Sequence, residues 1–166
     1  MRILALVVTI FTICSCRGNF ESGYNEKMAH LFQSCTEKLE ESYGKLLNGE
    51  YDVDKSESSY EMKLNEARAL SSYIKGIKCE AVQLRPAKTA EGFHVATVTY
   101  MAQIADGYGV LLIKYIDEQK KGARKSLLRE ITDEKTRLAA LADECFAHQM
   151  AFLHQAGKKG DKETRK

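Results

Sequence analysis

The chain of 166 residues has no tryptophan and a single proline, Pro86. Proline disrupts helix interiors, so its scarcity, together with abundant Ala, Leu, Lys and Glu, favours helices over a β-sandwich. An excess of charge of one sign is also lacking, because the formal net charge is only +2. A nucleic-acid binder needs a concentrated basic face to neutralise phosphates. The sequence shows no such face, and we therefore expect no nucleic-acid partner.

The short motifs that carry common enzyme chemistry are absent as well. There is no Gly-x-Ser-x-Gly elbow, phosphate loop, dinucleotide fingerprint, His-Glu-x-x-His or Cys-x-x-Cys pattern. Carboxylates are plentiful, but they fall on the polar faces of amphipathic segments and no pair is singled out. We therefore predict that the protein is not an enzyme.

The first fifteen residues have the parts of an export signal. A positive charge at Arg2 precedes an apolar run over residues 3–13, and small residues follow. That run is too short to span a bilayer, which takes roughly 20 apolar residues. The pattern predicts that residues 1–15 are a signal peptide and are removed from the mature protein.

The end of this signal reads Ile13-Cys14-Ser15-Cys16. It resembles the lipobox of bacterial lipoproteins, in which an aliphatic residue stands three places before an invariant cysteine. The resemblance implies cleavage before Cys16, diacylation of its thiol and attachment to a membrane. Because Cys14 departs from the usual pattern, secretion without a lipid is the alternative. Arg17 in the next place implies, by the same resemblance, an outer-membrane lipoprotein that faces the periplasm.

Residues 16–25 are interpreted as the lipidated cysteine and a polar tether, and residues 26–156 as the folded domain. The first amphipathic segment has apolar residues at helical spacing from Met28 to Leu46, and Gly49 suits its C-terminus. The second opens near Ser56, a good capping residue, and ends before Pro86.

The third segment keeps one apolar face from Phe93 to Ile116. Residues 95–100 are β-branched and compatible with a strand, but the unbroken face favours a helix. Gly107 and Gly109 each weaken a helix by roughly 1 kcal/mol relative to alanine. We therefore expect either a kink there or the close approach of a neighbouring helix.

Gly122 separates the third segment from the fourth, which runs from about Ala123 to Gln155. Residues 157–166 are predicted to be a disordered basic tail. Four long segments with short connections predict an all-α fold, an up-down-up-down four-helix bundle that follows the signal peptide.

The leader and the predicted bundle resemble the small, uncharacterised helical-bundle lipoproteins of bacteria. The pattern from Phe93 and His94 through Tyr100 to Tyr108, followed by a long charged helix, is compatible with that group. The resemblance implies a location in the cell envelope and a helical fold. It implies no activity and transfers no site.

Three cysteines remain beyond the leader: Cys35, Cys79 and Cys145. Cys35 and Cys145 fall at similar heights on the first and fourth helices, which are neighbours in the predicted bundle. A disulfide between them is geometrically sensible in an oxidising compartment. The alternative is two buried thiols that act as small hydrophobic side chains.

All four histidines fall toward the end of the bundle at which the first helix starts. Imidazole, thiolate and carboxylate groups bind zinc or copper, whereas isolated histidines are more often surface or packing residues. No other cofactor is indicated. The residues of this hypothetical metal site are His30, His94, His148, Cys79 and Glu91.

Taken together, the anchor, the missing catalytic motifs and the evenly charged exterior favour a non-enzymatic protein of the cell envelope. We expect it to bind an unknown protein partner through the bundle surface. One alternative is a metal-binding or metal-sensing bundle, periplasmic or secreted. Another is a small-ligand carrier in which the two glycines open a gap between helices. That gap would be lined by Tyr100, Met101, Tyr108 and Tyr115.

Overall fold

A computed structural model of the chain describes residues 19–53, 56–119 and 124–163. These residues form an all-α four-helix bundle and contain no strand. Helix α1 spans Asn19–Leu47, and α2 spans Glu57–Gln83. Helix α3 has two α-helical parts, Glu91–Gln103 and Gly109–Glu118, joined by a π-helical segment, Ile104–Tyr108. A short 3-10 turn, Lys88–Ala90, precedes α3, and α4 spans Arg124–Glu163.

Successive helices are antiparallel, as the contacts between them show. Lys45, late in α1, binds Glu66, early in α2. Tyr60, early in α2, donates a hydrogen bond to Asp117, late in α3. Between α1 and α4, Gln149 donates a hydrogen bond to Asn25. These pairings give the up-down-up-down order that the sequence predicts.

The ends of α1 and α2 follow their local sequence. Gly49 has φ +73°, a conformation that residues with a Cβ rarely adopt. Its N–H binds the carbonyl of Leu46, and the N–H of Glu50 binds that of Lys45, so α1 ends in a Schellman motif. At the start of α2, the Ser56 side chain accepts a hydrogen bond from the N–H of Ser59. Both predicted helix ends are confirmed.

The π-helical segment lies where the sequence placed two glycines in α3. The N–H of Gly109 binds the carbonyl of Ile104, five residues earlier. The Ala105 carbonyl accepts instead from Ser71 Oγ at 2.9 Å. A Cβ on Gly109 would lie 3.3 Å from the Cβ of Ser71. The expected close approach of a neighbouring helix is therefore confirmed, and the β-branched stretch over residues 95–100 is helical.

The hydrophobic core fills the space between the four helices. Its largest fully buried side chains are aromatic or aliphatic, and burial of this kind is the main stabilising term of a bundle. The connection between α1 and α2 closes one end of it, because Tyr51 is buried and Gln119 holds the backbone of residues 51 and 53. The largest of the core side chains are Tyr100, Tyr108, Tyr115, Phe93, Phe152, Met28, Leu39 and Ile74.

Two predicted boundaries need correction. Residues 19–25 were expected in a tether, but α1 begins at Asn19, because Tyr24 is already buried against Phe152. Residues 157–163 were expected to be disordered, but α4 continues to Glu163. Ala156 still packs against the core, and Gly157 costs an exposed helix only roughly 1 kcal/mol.

The predicted signal peptide, residues 1–15, and the predicted lipidation site, Cys16, lie outside the described residues, as do Gly122 and Ala123. Within the part of the chain that is described, no helix combines the length and the apolar character that a membrane span requires.

Candidate functional site

A cleft of about 230 Å³ lies on the surface between α1 and α2, and we call it the α1–α2 groove. Its walls combine charged, hydroxyl and apolar side chains, which are the ingredients of a recognition surface. The residues that line it are Lys38, Glu41, Ser42, Lys45, Tyr51, Glu66, Ala69, Leu70 and Tyr73.

Four of these residues form a ladder of alternating charges. Lys38, Glu41 and Lys45 share one face of α1 because they are three and four residues apart. Lys38 Nζ lies 2.6 Å from Glu41, and Lys45 Nζ lies 3.2 Å from Glu41. Across the groove, Lys45 Nζ lies 2.7 Å from Glu66 on α2. The ladder therefore joins the two helices and fixes the positions of both charge signs.

The ladder perturbs the ionisation of its members. The hydrogen bond to Glu66, followed by the one to Glu41, raises the pKa of Lys45 well above its usual range. Hydrogen bonds from Lys38 and then Lys45 lower the pKa of Glu41. The side chains of Lys45 and Glu66 are 31% and 36% exposed, so solvent screens the pair and its contribution to stability is small. Its importance lies in the charge pattern that it presents.

Exposed apolar side chains lie beside the ladder on α2. Met62, Glu66, Ala69 and Tyr73 follow one another at helical spacing and so share one face of the helix. Met62 is 57% exposed and Tyr73 is 46% exposed. Large side chains such as these contribute much of the binding energy of protein interfaces. This face is therefore suited to a partner.

Hydroxyl groups lie at and behind the wall of the groove, where Ser42 and Tyr51 line it and Tyr108 is buried in the core. Ser42 Oγ lies 3.3 Å from the Tyr51 hydroxyl and 3.2 Å from that of Tyr108. Burial raises the pKa of Tyr51, and it raises that of Tyr108 well above its usual range. These hydroxyls therefore stay protonated at neutral pH, and each can donate or accept a hydrogen bond.

The structure does not bring the hypothetical metal ligands together. The hydroxyl of Tyr24 lies 3.1 Å from His94 Nδ1, while His148 lies against Gly92. His30, Cys79 and Glu91 are exposed at separate places. Over the residues that the structure describes, no three His, Cys, Asp or Glu side chains form a group able to hold a metal ion. The histidines share an end of the bundle but not a site.

Cys35 and Cys145 are both buried, and both thiols are free. The structure thus corrects the predicted disulfide and agrees with the alternative of two separate thiols. Large rings occupy the space between α1, α3 and α4 at this level, with Phe32 centred 4.9 Å from Tyr100 and 5.4 Å from Phe146.

The gap of the ligand-carrier hypothesis is filled by protein. Tyr100, Met101, Tyr108 and Tyr115 are all buried in the core. A Cβ on Gly107 would meet Glu134 and Gln103, and one on Gly109 would meet Ser71. The glycines therefore let other side chains and a neighbouring helix come close instead of opening a cavity.

The α1–α2 groove is absent from the sequence-based predictions. Lys38, Glu41 and Lys45 have the alternating charges of an ordinary solvated helix face. Only the register of α1 against α2 shows that Glu66 and Tyr73 stand opposite them. The sequence signal for this surface is the pair Met62 and Tyr73, two large side chains on the otherwise polar face of α2.

No protein-family model, curated protein or solved structure matches the chain.

Proposed function

We propose that the chain is an exported, non-enzymatic protein of the cell envelope, anchored by a lipid on Cys16, that binds a partner protein through the α1–α2 groove. The observation that carries the proposal is the exposed pair Met62 and Tyr73 beside a closed ladder of alternating charges. An apolar anchor flanked by fixed charges of both signs is the arrangement of a selective protein interface.

The groove defines the chemistry of its partner. A polypeptide segment that places an apolar or aromatic side chain against Tyr73 and Leu70, with charges of both signs nearby, complements this surface. Each charge of the ladder already has a partner of opposite sign within the protein. Charge matching then determines which partner is accepted more than how tightly it binds.

The position of the groove is compatible with an anchor at the other end of α1. At 1.5 Å per residue, Lys38 and Lys45 lie roughly 28 and 39 Å along the helix from Asn19. A lipid on Cys16 would hold the start of α1 at the membrane. The groove would then face away from the bilayer, where a second protein can reach it.

Two measurements test the proposal. The mass of the mature N-terminus should show cleavage before Cys16 and a diacyl modification. A photoreactive residue in place of Tyr73 should give a discrete cross-linked product in intact cells, identified by peptide mass. The same residue in place of Val110, which is 53% exposed on α3, is the matched control and should not give that product.

Direct binding completes the test. With the cross-linked protein purified, Tyr73→Ala should weaken its affinity roughly tenfold or more, as expected for an interface anchor, while Val110→Ala should leave it unchanged. Equal products from both positions, or an affinity that Tyr73→Ala does not alter, would contradict the role of the groove. An unmodified or uncleaved N-terminus would contradict the anchor.

A further inference from the structure

Three hydroxyl groups lead from the core to the wall of the α1–α2 groove, and we call them the hydroxyl row. Tyr108 comes from the π-helical segment of α3 and is fully buried. Ser42 of α1 and Tyr51, in the connection between α1 and α2, are also buried, but both line the groove. Ser42 Oγ lies 3.2 Å from the Tyr108 hydroxyl and 3.3 Å from the Tyr51 hydroxyl. Ser42 is therefore the middle member of the row.

The hydroxyl row has one proton more than it has hydrogen bonds. Each hydroxyl group has one proton to donate, so three protons are available for the two contacts. Among the residues that the structure describes, none of the three hydroxyl groups makes another hydrogen bond. One proton is therefore left without an acceptor in this part of the protein.

Burial determines which residue keeps that proton. Ser42 is the hydrogen-bond partner of the Tyr108 hydroxyl, and a buried donor without an acceptor is costly, so Tyr108 donates to Ser42. Ser42 then either donates to Tyr51, which leaves the Tyr51 proton free, or accepts from Tyr51 and keeps its own proton free. Because both side chains line the groove, the spare donor lies at the wall of the groove in either arrangement.

The charges of the groove are matched, so its spare donor suits an uncharged acceptor. Glu41 pairs with Lys38 and Lys45, and Glu66 pairs with Lys45, which gives two charges of each sign. The cleft of about 230 Å³ is smaller than the roughly 300–1,000 Å³ pockets that enclose whole small ligands. It therefore suits one residue of a larger partner, with an apolar side chain placed against Leu70.

We infer that Ser42 and Tyr51 select an uncharged main-chain carbonyl of the partner, next to an apolar side chain that occupies the groove. The inference rests on the proposed function, because it describes how the same groove recognises its partner. A main-chain carbonyl accepts hydrogen bonds and carries no net charge. A free carboxylate would add an unmatched negative charge beside Glu41 and Glu66, whereas a wholly apolar group would leave the donor unsatisfied.

The probe for this test is N-acetyl-phenylalanine N-methylamide, an uncharged molecule with one apolar side chain between two amide carbonyls. Its binding is measured by NMR titration of the chain that begins at residue 17, which contains every helix of the described bundle. The amide signals of residues 69–73 should shift, and those of residues 139–143 on α4 should not. N-acetyl-phenylalanine, which has a free carboxylate, and N-acetyl-glycine N-methylamide, which lacks the side chain, should each bind roughly fivefold or more weakly.

The diagnostic variant is Ser42→Ala with Tyr51→Phe and Tyr108→Phe, which removes the whole hydroxyl row and so leaves no buried donor without a partner. Tyr108→Phe alone is the matched control, because Ser42 and Tyr51 still share one hydrogen bond and keep one spare proton at the groove. The diagnostic variant should bind the uncharged probe roughly fivefold more weakly than the parent, and the control within about twofold of it. Urea denaturation checks that both variants fold, and if the diagnostic variant does not, the three probes decide on the parent chain.

Equal affinity of the diagnostic variant and the control would overturn the inference. So would tighter binding of the carboxylate probe than of the uncharged one, because Lys38 and Lys45 would then select the ligand. The cross-link at Tyr73 separates the two proposals. A cross-linked partner that the diagnostic variant binds as tightly as the parent does would refute the role of the hydroxyl row but keep the groove as the partner site. Probe binding that depends on the hydroxyl row, without any cross-linked protein, would keep the carbonyl site but refute its protein partner.

Discussion

The buried carboxylate of Glu134 on α4 accepts a hydrogen bond from Gln103 Nε2 next to Gly107 in the π-helical segment. Arg137 lies 3.3 Å from the other carboxylate oxygen and offsets its charge. An isolated buried carboxylate is strongly destabilising, so both partners matter. A Cβ on residue 107 would lie 2.6 Å from Glu134 Oε1 and 2.7 Å from Gln103 Nε2, so at least one of these side chains would have to shift.

Gly107→Ala should destabilise the bundle. The added methyl group requires Glu134 or Gln103 to move and breaks their hydrogen bond, which is of the charge-assisted kind worth about 1.5–3 kcal/mol. The gain in helix propensity of about 1 kcal/mol offsets only part of that loss. We expect a net decrease of about 1 kcal/mol in the free energy of unfolding, measured by urea denaturation.

Gly76→Ala is the control for this substitution. Gly76 lies on an exposed face of α2, and a Cβ there would meet no atom within 4 Å. The propensity gain should then appear in full and stabilise the bundle by about 0.5–1 kcal/mol. Equal effects of the two substitutions would show that Glu134 and Gln103 adjust freely and do not require glycine at 107.

Gln119→Ala should loosen the connection between α1 and α2. The Gln119 side chain accepts a hydrogen bond from the N–H of Val53 and donates one to the carbonyl of Tyr51, each at 2.8 Å. Their loss should cost about 1–2 kcal/mol and speed amide exchange at residues 51–53. Gln33→Ala, which removes only an exposed contact with Glu37, should change neither quantity.

In a chain that begins at residue 17 and so lacks Cys14 and Cys16, Cys79 alone should react with a thiol reagent in the folded protein at pH 8. It is exposed, whereas burial raises the pKa of Cys35 and of Cys145 to about 12. Their thiolate fraction at pH 8 is then about one part in ten thousand. Urea should make all three thiols reactive, and Cys79→Ser should abolish the reaction of the folded chain. Fast labelling of Cys35 or Cys145 without urea would show that the core opens.

The same two thiols give stability a defined pH dependence. The ordinary pKa of a cysteine is 9.0, so the unfolded chain loses these protons above pH 9 while the folded chain keeps them up to about pH 12. Since the unfolded state binds fewer protons in that window, the free energy of unfolding should fall as the pH rises through it. Cys35→Ala with Cys145→Ala should make that decline shallower, although it also lowers stability at neutral pH.

Local sequence was sufficient to predict the four helices and several of their ends. The Gly49 and Ser56 caps depend on residues a few places away, so they are readable from the chain. The π-helical segment is not, because it depends on Ser71 satisfying the Ala105 carbonyl and on Glu134 lying beside Gly107. Both partners come from other helices.

The same limit explains the corrected sites. Spacing places the histidines and Cys79 toward one end of the bundle but does not fix their directions: His94 contacts Tyr24, whereas His148 lies against Gly92. The α1–α2 groove escaped prediction because its charges are paired across two helices. Contacts between helices depend on register, which periodicity alone does not determine.

His94 should make stability depend on pH at the acidic end. It is partly buried beside Tyr24, and this burial lowers its pKa below the ordinary 6.5. Just below pH 6.5, the His94 ring binds a proton in the unfolded chain but stays neutral in the folded chain. Because the unfolded state binds more protons in that window, the free energy of unfolding should fall as the pH falls. Urea denaturation at pH 7.5 and pH 5.5 measures the change.

His94→Gln should reduce that difference between the two pH values, whereas His30→Gln, at an exposed position, should leave it unchanged. Comparison with the His30 variant is needed because carboxylates also titrate toward pH 5 and act equally in both proteins. An NMR titration of the His94 ring reports its pKa directly. A midpoint at or above 6.5 would mean that the ring is solvated and that Tyr24 does not shield it, which would contradict the packing of α1 against α3 at this end.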